Sequence, residues 1–267
     1  MTYEALTFER HGHVALMTLN RPEKLNALSR QLQDETRAAC AEVEGDDNIR
    51  VMIVTGAGRG FCSGVDLTGP RPTGAPEGLQ PQNERLDEFG WVGRQAMAFY
   101  NLNKPTIAAV NGVAAGAGMS LALACDLRVG GASARFKTVF LERSLSPDSG
   151  MSFFLPRIIG YARAADLIFT SRSLEAEEAY RLGLLDRLVP DERLIEESMA
   201  LANVIAKWPP MAMRSAKRTI QRNLQVDLEQ ALLNEISGVG YARRAPHDVA
   251  ESGASFAERR DPHFTGE

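Results

Sequence analysis

Two acids and two glycine-rich turns are the parts of this chain whose residue types and spacing suit chemistry. Asp148 stands in SLSPDSGMS (144–152), after a proline and ahead of the apolar run SFFLPRII. An aspartate there can cap a helix or serve as a catalytic carboxylate. Glu142 is the reserve acid, and a solvated surface position suits it equally well. The turns TGAGRGFCSGVDL (55–67) and NGVAAGAGMSL (111–121) each follow an apolar strand, VMIV and IAAV. Neither is a nucleotide motif: no Lys-Ser or Lys-Thr pair closes a P-loop, and Gly116-Ala117-Gly118 runs on into Ser120 and Leu121 rather than completing G-x-G-x-x-G. What they share is backbone exposed beside a helix start, where the first N–H groups lack an intrahelical partner and the dipole is positive. Two such N–H groups converging make an oxyanion hole. The glycines equally permit tight turns and close helix packing, and the turns alone leave both readings open.

Histidine and cysteine chemistry finds less support. His11, His13, His247 and His263 lie near the chain ends, with no HExxH and no Cys/His cluster, so no metal site is expected. His11 and His13 flank Gly12 as turn residues before VALMTL. Cys40, Cys62 and Cys125 are widely spaced without a C-x-x-C, which fits reduced thiols in a cytoplasmic protein rather than a disulfide framework.

The elements that must position these residues alternate in type. Strands YEALTFER and VALMTLN, joined by HGH, precede the turn RPEK, a helix over 29–45 and the strand VMIVTG, a β–α–β rhythm that signals an α/β fold. In that helix Leu32, Thr36, Ala39 and Val43 fall at helical spacing on one buried face, and Ser29 is its N-cap. Residues 69–90, rich in Pro, Gly and Gln, form a long loop or lid. A helix over GRQAMAFYNLN then leads to the strand IAAV, a glycine turn, the helix MSLALACD and the strand LRV. MSLALACD has no polar face and must be buried. Helices follow over SFFLPRIIG, YARAADLIFTS and EAEEAYRLG, with a strand in LLDRLVP, and from Asp191 the pattern is helical to the end.

The 267 residues suit one large domain, or a domain with an appendage, because single cores stop growing near about 250–300 residues. Hydrophobic residues at 44% and charged residues at 24% exclude disorder. A net charge of −4 argues against a nucleic-acid partner, whose binding face would be basic. No apolar stretch approaches about 20 residues, so no membrane span and no signal peptide are expected.

The segments RPEKLNAL (21–28), GRGFCSGVDL (58–67), KPTIAAVNGVAAGAGMSLALACDLRV (104–129), ARF (134–136), SLSPDSG (144–150) and the ending FAERRDPHFTGE resemble, in order and spacing, the crotonase or enoyl-CoA hydratase/isomerase superfamily. The resemblance implies a spiral of ββα turns over residues 1–190 making two sheets. It further implies a C-terminal helical region, 191–267, that forms a homotrimer or a dimer of trimers. It implies an acyl-CoA thioester substrate whose enolate is held by the backbone N–H groups of Val65 and Ala117, with no cofactor beyond the coenzyme A of the substrate. Lys24, Leu25 and Ala27 in the first motif, and Gly64, Asp66 and Leu67 in the second, are implied to bind coenzyme A.

One departure from the family pattern bears on the reaction. Hydratases use two glutamates to add water; the corresponding positions are Ser120 and Phe140. Neither is an acid, so two-acid hydration is hard to assign. Asp148 is the substitute, in a string resembling that of epoxyphenylacetyl-CoA isomerases and, at the same position, the nucleophile of chlorobenzoyl-CoA dehalogenases. The dehalogenases also need a central histidine, which is missing. The expected activity is a one-base double-bond or ring isomerase using Asp148, with Ser120, Phe140 and Glu142 as pocket residues. The alternatives are a hydratase with non-standard acids, a dehalogenase or hydrolase, and an acyl-CoA-binding protein without activity. Phe140, Phe153 and Phe154 suit either a bulky or aromatic acyl group or ordinary core packing.

Overall fold

A computed structural model of the chain describes residues 2–68, 82 and 86–267. Most of the 69–90 stretch expected as a lid lies outside the described residues. Strand β1 (Leu6–His11) turns at Gly12 into antiparallel β2 (Val14–Leu19), and helix α1 (Arg30–Gly45) crosses to β3 (Val51–Gly56). The Ser29 hydroxyl accepts the Leu32 N–H at 3.2 Å, so the expected N-cap is in place. Leu32, Thr36, Ala39 and Val43 are buried, as the spacing predicts. Each fully buried Leu or Val contributes roughly 1.5–3 kcal/mol.

β3 continues a sheet with β5 (Thr106–Val110), β7 (Leu127–Gly131) and β10 (Arg187–Val189), in the order β1-β2-β3-β5-β7-β10 and parallel from β2 onward. Side chains alternate across it. Ala15, Met17, Met52, Val54, Ala108 and Val110 join the main core on one face. Val14, Leu16, Val51, Ile53, Ile107 and Ala109 face the other way, onto α7 (Leu194–Ala206), which covers them with Leu194, Ala202 and Ala206. A sheet covered on both faces explains the continuous apolar runs VMIV and IAAV.

A second sheet of short strands, β4 (Gly60–Cys62), β6 (Val113–Ala115), β8 (Arg135–Lys137) and β9 (Leu174–Glu175), lies in that order, parallel except for β9. Helix α2 (Gly90–Tyr100) packs against α3 (Ala117–Ala124), whose eight residues are all buried, as the absence of a polar face demands. Gly118 is where α3 meets β4: a Cβ there would stand 2.1 Å from the Cys62 carbonyl oxygen. Helices α4 (Met151–Ile159), α5 (Tyr161–Thr170) and α6 (Ala176–Arg181) follow. The chain after Asp191 is helical as expected as far as Glu258, with α7, then α8 (Pro210–Asn223), α9 (Leu228–Ala242) and α10 (Pro246–Glu258), but residues 259–267 leave the helix and form no regular element. No helix among the described residues is long and apolar enough to cross a membrane.

Candidate active site

The small sheet brings the two glycine turns together. β4 and β6 run parallel, pairing Gly60 with Val113 and Cys62 with Ala114, so both chains leave the sheet at the same end. One exits into SGVDL and the other into GAGMS, and the carboxyl end of parallel strands is where an α/β sheet opens onto a ligand. Gly64 has φ +97°, open to glycine at little cost, and a Cβ added to it would stand 2.8 Å from the Ala115 oxygen and 3.6 Å from the Ala117 nitrogen. Val65 therefore follows directly on the contact with the start of α3. Ala117 is the first residue of that helix, so its N–H has no intrahelical acceptor. Neither the Val65 nor the Ala117 N–H finds an acceptor among the described residues.

The first motif fastens the Val65 turn from below. Leu28 N–H donates to Gly64 O at 2.7 Å, Asp66 N–H to Leu28 O at 3.2 Å and Ser63 N–H to Leu25 O at 3.0 Å. Arg21 links the two motifs, donating to Ala27 O at 2.6 Å and to Asp66 Oδ2 at 2.7 Å. Asp66 Oδ1 accepts from the Thr68 hydroxyl at 2.6 Å and its amide at 2.9 Å. The Thr68 hydroxyl and amide, with Arg21, hold the Asp66 carboxyl down at about 2. The stretches that carry Lys24, Leu25, Ala27, Gly64, Asp66 and Leu67 are thus tied together, with Lys24 and Leu67 exposed and Ala27 and Gly64 buried. Asn26, fully buried with φ +56°, makes this possible: it accepts the Arg21 amide and donates to Ala57 O and Gly60 O at 3.0 and 2.7 Å. Residue-level reading missed Arg21, Asn26 and Thr68. The one available signal was asparagine's tolerance of the left-handed region inside a turn.

β8 delivers the third component. It lies beside β6, and Gly116 N–H donates to Lys137 O at 3.0 Å. The chain then turns at Val139, whose φ of +57° is an outlier for a β-branched residue. Strain of this kind gathers at functional sites, and Val139 touches Gly116, the residue before Ala117. Phe140 is 4% exposed and belongs to the main core. Glu142 is paired with Lys137 at 2.7 Å, and that contact holds its carboxyl below the usual range, leaving a weaker base. Phe153 meets Tyr100 edge-on and Phe154 meets it tilted, at ring separations of 5.9 and 5.7 Å, and both line an apolar cleft of about 460 Å³ with Leu123 and Ile220.

Asp148 arrives beside α3. Its carbonyl accepts the Met151 N–H at 2.9 Å and the hydroxyl of Ser120, itself 1% exposed, at 3.4 Å. The capping alternative for its side chain does not hold: the N-cap of α4 is Gly150, and no side chain caps that helix. The Asp148 carboxylate instead accepts the Ser149 hydroxyl at 2.8 Å through Oδ1. A proline and two consecutive left-handed residues, Ser149 and Gly150, turn the chain so sharply that the aspartate lies two residues too early to cap. No group of three or more His, Cys, Asp or Glu residues able to hold a metal occurs among the described residues. Cys40, Cys62 and Cys125 are free and buried, and burial pushes their thiols far up.

Backbone N–H groups left without acceptors suit chemistry in which a carbonyl oxygen gains negative charge, and a carboxylate suits the movement of a proton. Comparison with known proteins agrees at the level of family. The model of the enoyl-CoA hydratase/isomerase family matches residues 9–267. A probable enoyl-CoA hydratase of Mycobacterium bovis is 36% identical over 265 residues, 99% of each chain. The 1,2-epoxyphenylacetyl-CoA isomerase of Escherichia coli is 36% identical over 272 residues, 95% of each. Among solved structures, an enoyl-CoA hydratase of Bacillus anthracis superposes with a TM-score of 0.88 at 33% identity, covering 99% of this chain and 100% of that one. The chain belongs to the enoyl-CoA hydratase/isomerase family and is an enzyme of that family with its α/β fold.

Proposed function

We propose that the protein is a one-base isomerase of acyl-CoA thioesters. What supports this reading is that the Asp148 carbonyl meets the Ser120 hydroxyl of α3, a helix that opens on the free Ala117 N–H, while the positions of the two hydratase acids hold buried Ser120 and Phe140. The Val65 and Ala117 N–H groups bind the thioester oxygen. The Asp148 carboxylate takes a proton from the α- or γ-carbon of the enoyl chain, and the electron pair of that C–H bond moves into the conjugated system, leaving the charge on the oxygen. The carboxylic acid so formed returns the proton to the other carbon, which shifts the double bond and restores the base. The coenzyme A part lies along Lys24, Leu25, Ala27, Gly64, Asp66 and Leu67, and no cofactor takes part.

Residues 1–190 form the acyl-CoA-binding part and 191–267 the part that assembles a homotrimer or dimer of trimers in the cytoplasm. The support for assembly is α9, which has no buried residue and exposes Leu232, Ile236 and Val239. An apolar helix face of this kind suits a subunit interface. Light scattering at micromolar concentration is expected to report a multiple of three chains, and a monomeric mass overturns that part of the reading.

The reaction is tested by incubating the protein with 2-enoyl- and 3-enoyl-CoA thioesters, but-3-enoyl-CoA among them, and following products by liquid chromatography that separates double-bond isomers, with mass detection. Isomerisation gives a product of unchanged mass; hydration gives one heavier by a water. Asp148→Asn is expected to abolish turnover while acyl-CoA binding persists. Full activity in that variant, or a wild type that binds acyl-CoA and converts nothing in the panel, overturns the reading.

A further inference from the structure

We infer that Ser149 is the positioning residue of the base, its hydroxyl holding one carboxylate oxygen of Asp148 so that the other is presented to the substrate. This rests on the reading of Asp148 as the base. The Ser149 hydroxyl donates to Asp148 Oδ1 at 2.8 Å, and Asp148 Oδ2 has no partner among the described residues. Side chains of neighbouring residues ordinarily diverge. They meet here because Ser149 adopts φ +55° and folds its hydroxyl back along the chain. That conformation favours glycine or asparagine, and Gly150 follows it at φ +84°. A serine at this place sits against the local backbone preference, and what Ser149, 8% exposed as a residue, supplies beyond glycine is one hydroxyl bonded to the carboxylate.

The rest of the segment is already held. Asp148 O accepts from Met151 N–H and from the Ser120 hydroxyl, so the peptide that carries the carboxylate is anchored from two sides. Rotation of the carboxylate about its own side-chain bonds is the remaining freedom, and the Ser149 hydroxyl removes it. A hydrogen bond from a buried hydroxyl to an ionised carboxylate is short and stronger than one between neutral groups. With Oδ1 so committed, the proton travels through Oδ2.

The backbone supplies a clean test. Ser149→Gly suits the left-handed conformation, so it removes the hydroxyl without straining the fold, and Ser149→Asn suits the same conformation while offering an N–H donor. With the enoyl-CoA thioester that wild type isomerises fastest in the panel above, Ser149→Gly is expected to lower kcat roughly tenfold. KM should stay within about twofold of wild type and the melting temperature should not fall, since the hydroxyl acts on the base rather than on binding or folding. Ser149→Asn is expected to recover most of the lost kcat. An unchanged kcat in Ser149→Gly, beside an inactive Asp148→Asn, overturns the role of Ser149 and leaves the base in place. A loss of kcat accompanied by a lower melting temperature, with no recovery in the asparagine variant, also overturns it by making the contact structural. Full activity in Asp148→Asn removes the base itself.

Discussion

Gly64 and Ala117 lie against each other across the ends of two parallel strands, so close that a methyl group on Gly64 would come within 3.6 Å of the Ala117 nitrogen. That contact brings the two glycine turns together at the ends of β4 and β6. It depends on a residue with no side chain and a φ of +97°.

Gly64→Ala therefore tests the site more sharply than removal of any side chain around it. The new methyl group would meet the Ala115 carbonyl oxygen at 2.8 Å, and alanine resists the required backbone conformation. The turn must shift and carry the Val65 N–H with it. Loss of one oxyanion-hole donor lowers kcat by roughly 10²–10³-fold, and a loss of that order is expected with acyl-CoA affinity changed far less. Steady-state kinetics beside a direct binding titration check it; a kcat within threefold of wild type would contradict the placement of the hole.

Asp66 gives the same turn a pH-dependent tie. Its carboxyl is held at about 2, below the ordinary 3.8, by the Thr68 hydroxyl and amide and by Arg21. A lowered folded-state value stabilises the fold above pH 3.8 and is lost as pH falls toward 2. Asp66→Asn is expected to melt lower than wild type at pH 7, with the gap closing through that acid window. Thermal melts at intervals from pH 7 to pH 2 read this directly, and a gap that stays constant throughout would assign the loss to packing instead.

The C-terminal helices are tied to the core by Lys217, buried under α8. Its ammonium donates to Asp126 Oδ2 at 2.7 Å and to Lys104 O at 2.9 Å, and the same carboxylate oxygen accepts the Thr106 amide and hydroxyl at 2.7 and 2.9 Å. Lys217→Met removes the cation and leaves a carboxylate facing a carbonyl. Removing one partner of a buried pair costs about 3–5 kcal/mol, and because Asp126 keeps 28% exposure the lower end is expected. Urea denaturation at fixed protein concentration measures it, and a change under 1 kcal/mol would show that water replaces the lysine.

Legibility in the sequence followed physical size. The large sheet was readable because buried parallel strands five or six residues long leave continuous apolar runs, and α1 because four spaced residues and a serine cap define its face. The small sheet was not readable from periodicity: Gly60–Cys62, Val113–Ala115 and Arg135–Lys137 are three residues each, too short for any alternation to show, and two of them lie inside the glycine turns. That sheet is the one that makes the site, and only the family resemblance implied it. The two glycine turns and the segment around Asp148 stood out as motifs, while the donor roles of Val65 and Ala117 came from the family resemblance. The groups that hold them were not, because Arg21, Asn26 and Ser149 act through hydrogen bonds whose partners sequence order does not reveal, as between Asn26 and Gly60.

Ser120 separates the isomerase reading from a hydratase one with a substituted acid. It stands where the family's first glutamate would be, buried at 1% exposure, and its hydroxyl reaches only a backbone carbonyl, that of Asp148, at 3.4 Å. A contact of that length is weak, and a serine whose hydroxyl meets the carbonyl of Asp148 rather than its carboxylate is not activated for proton transfer. Ser120→Ala is therefore expected to lower kcat by less than about fivefold and to leave the ratio of isomerised to hydrated product unchanged, since a group that neither gives nor takes a proton contributes little of the 10²–10⁴-fold due to acid–base catalysis. Product analysis on the alanine variant by chromatography that separates double-bond isomers, with mass detection, decides between them. A hundredfold fall confined to the hydrated product would make Ser120 a participant in water addition, and the one-base scheme around Asp148 would have to be given up.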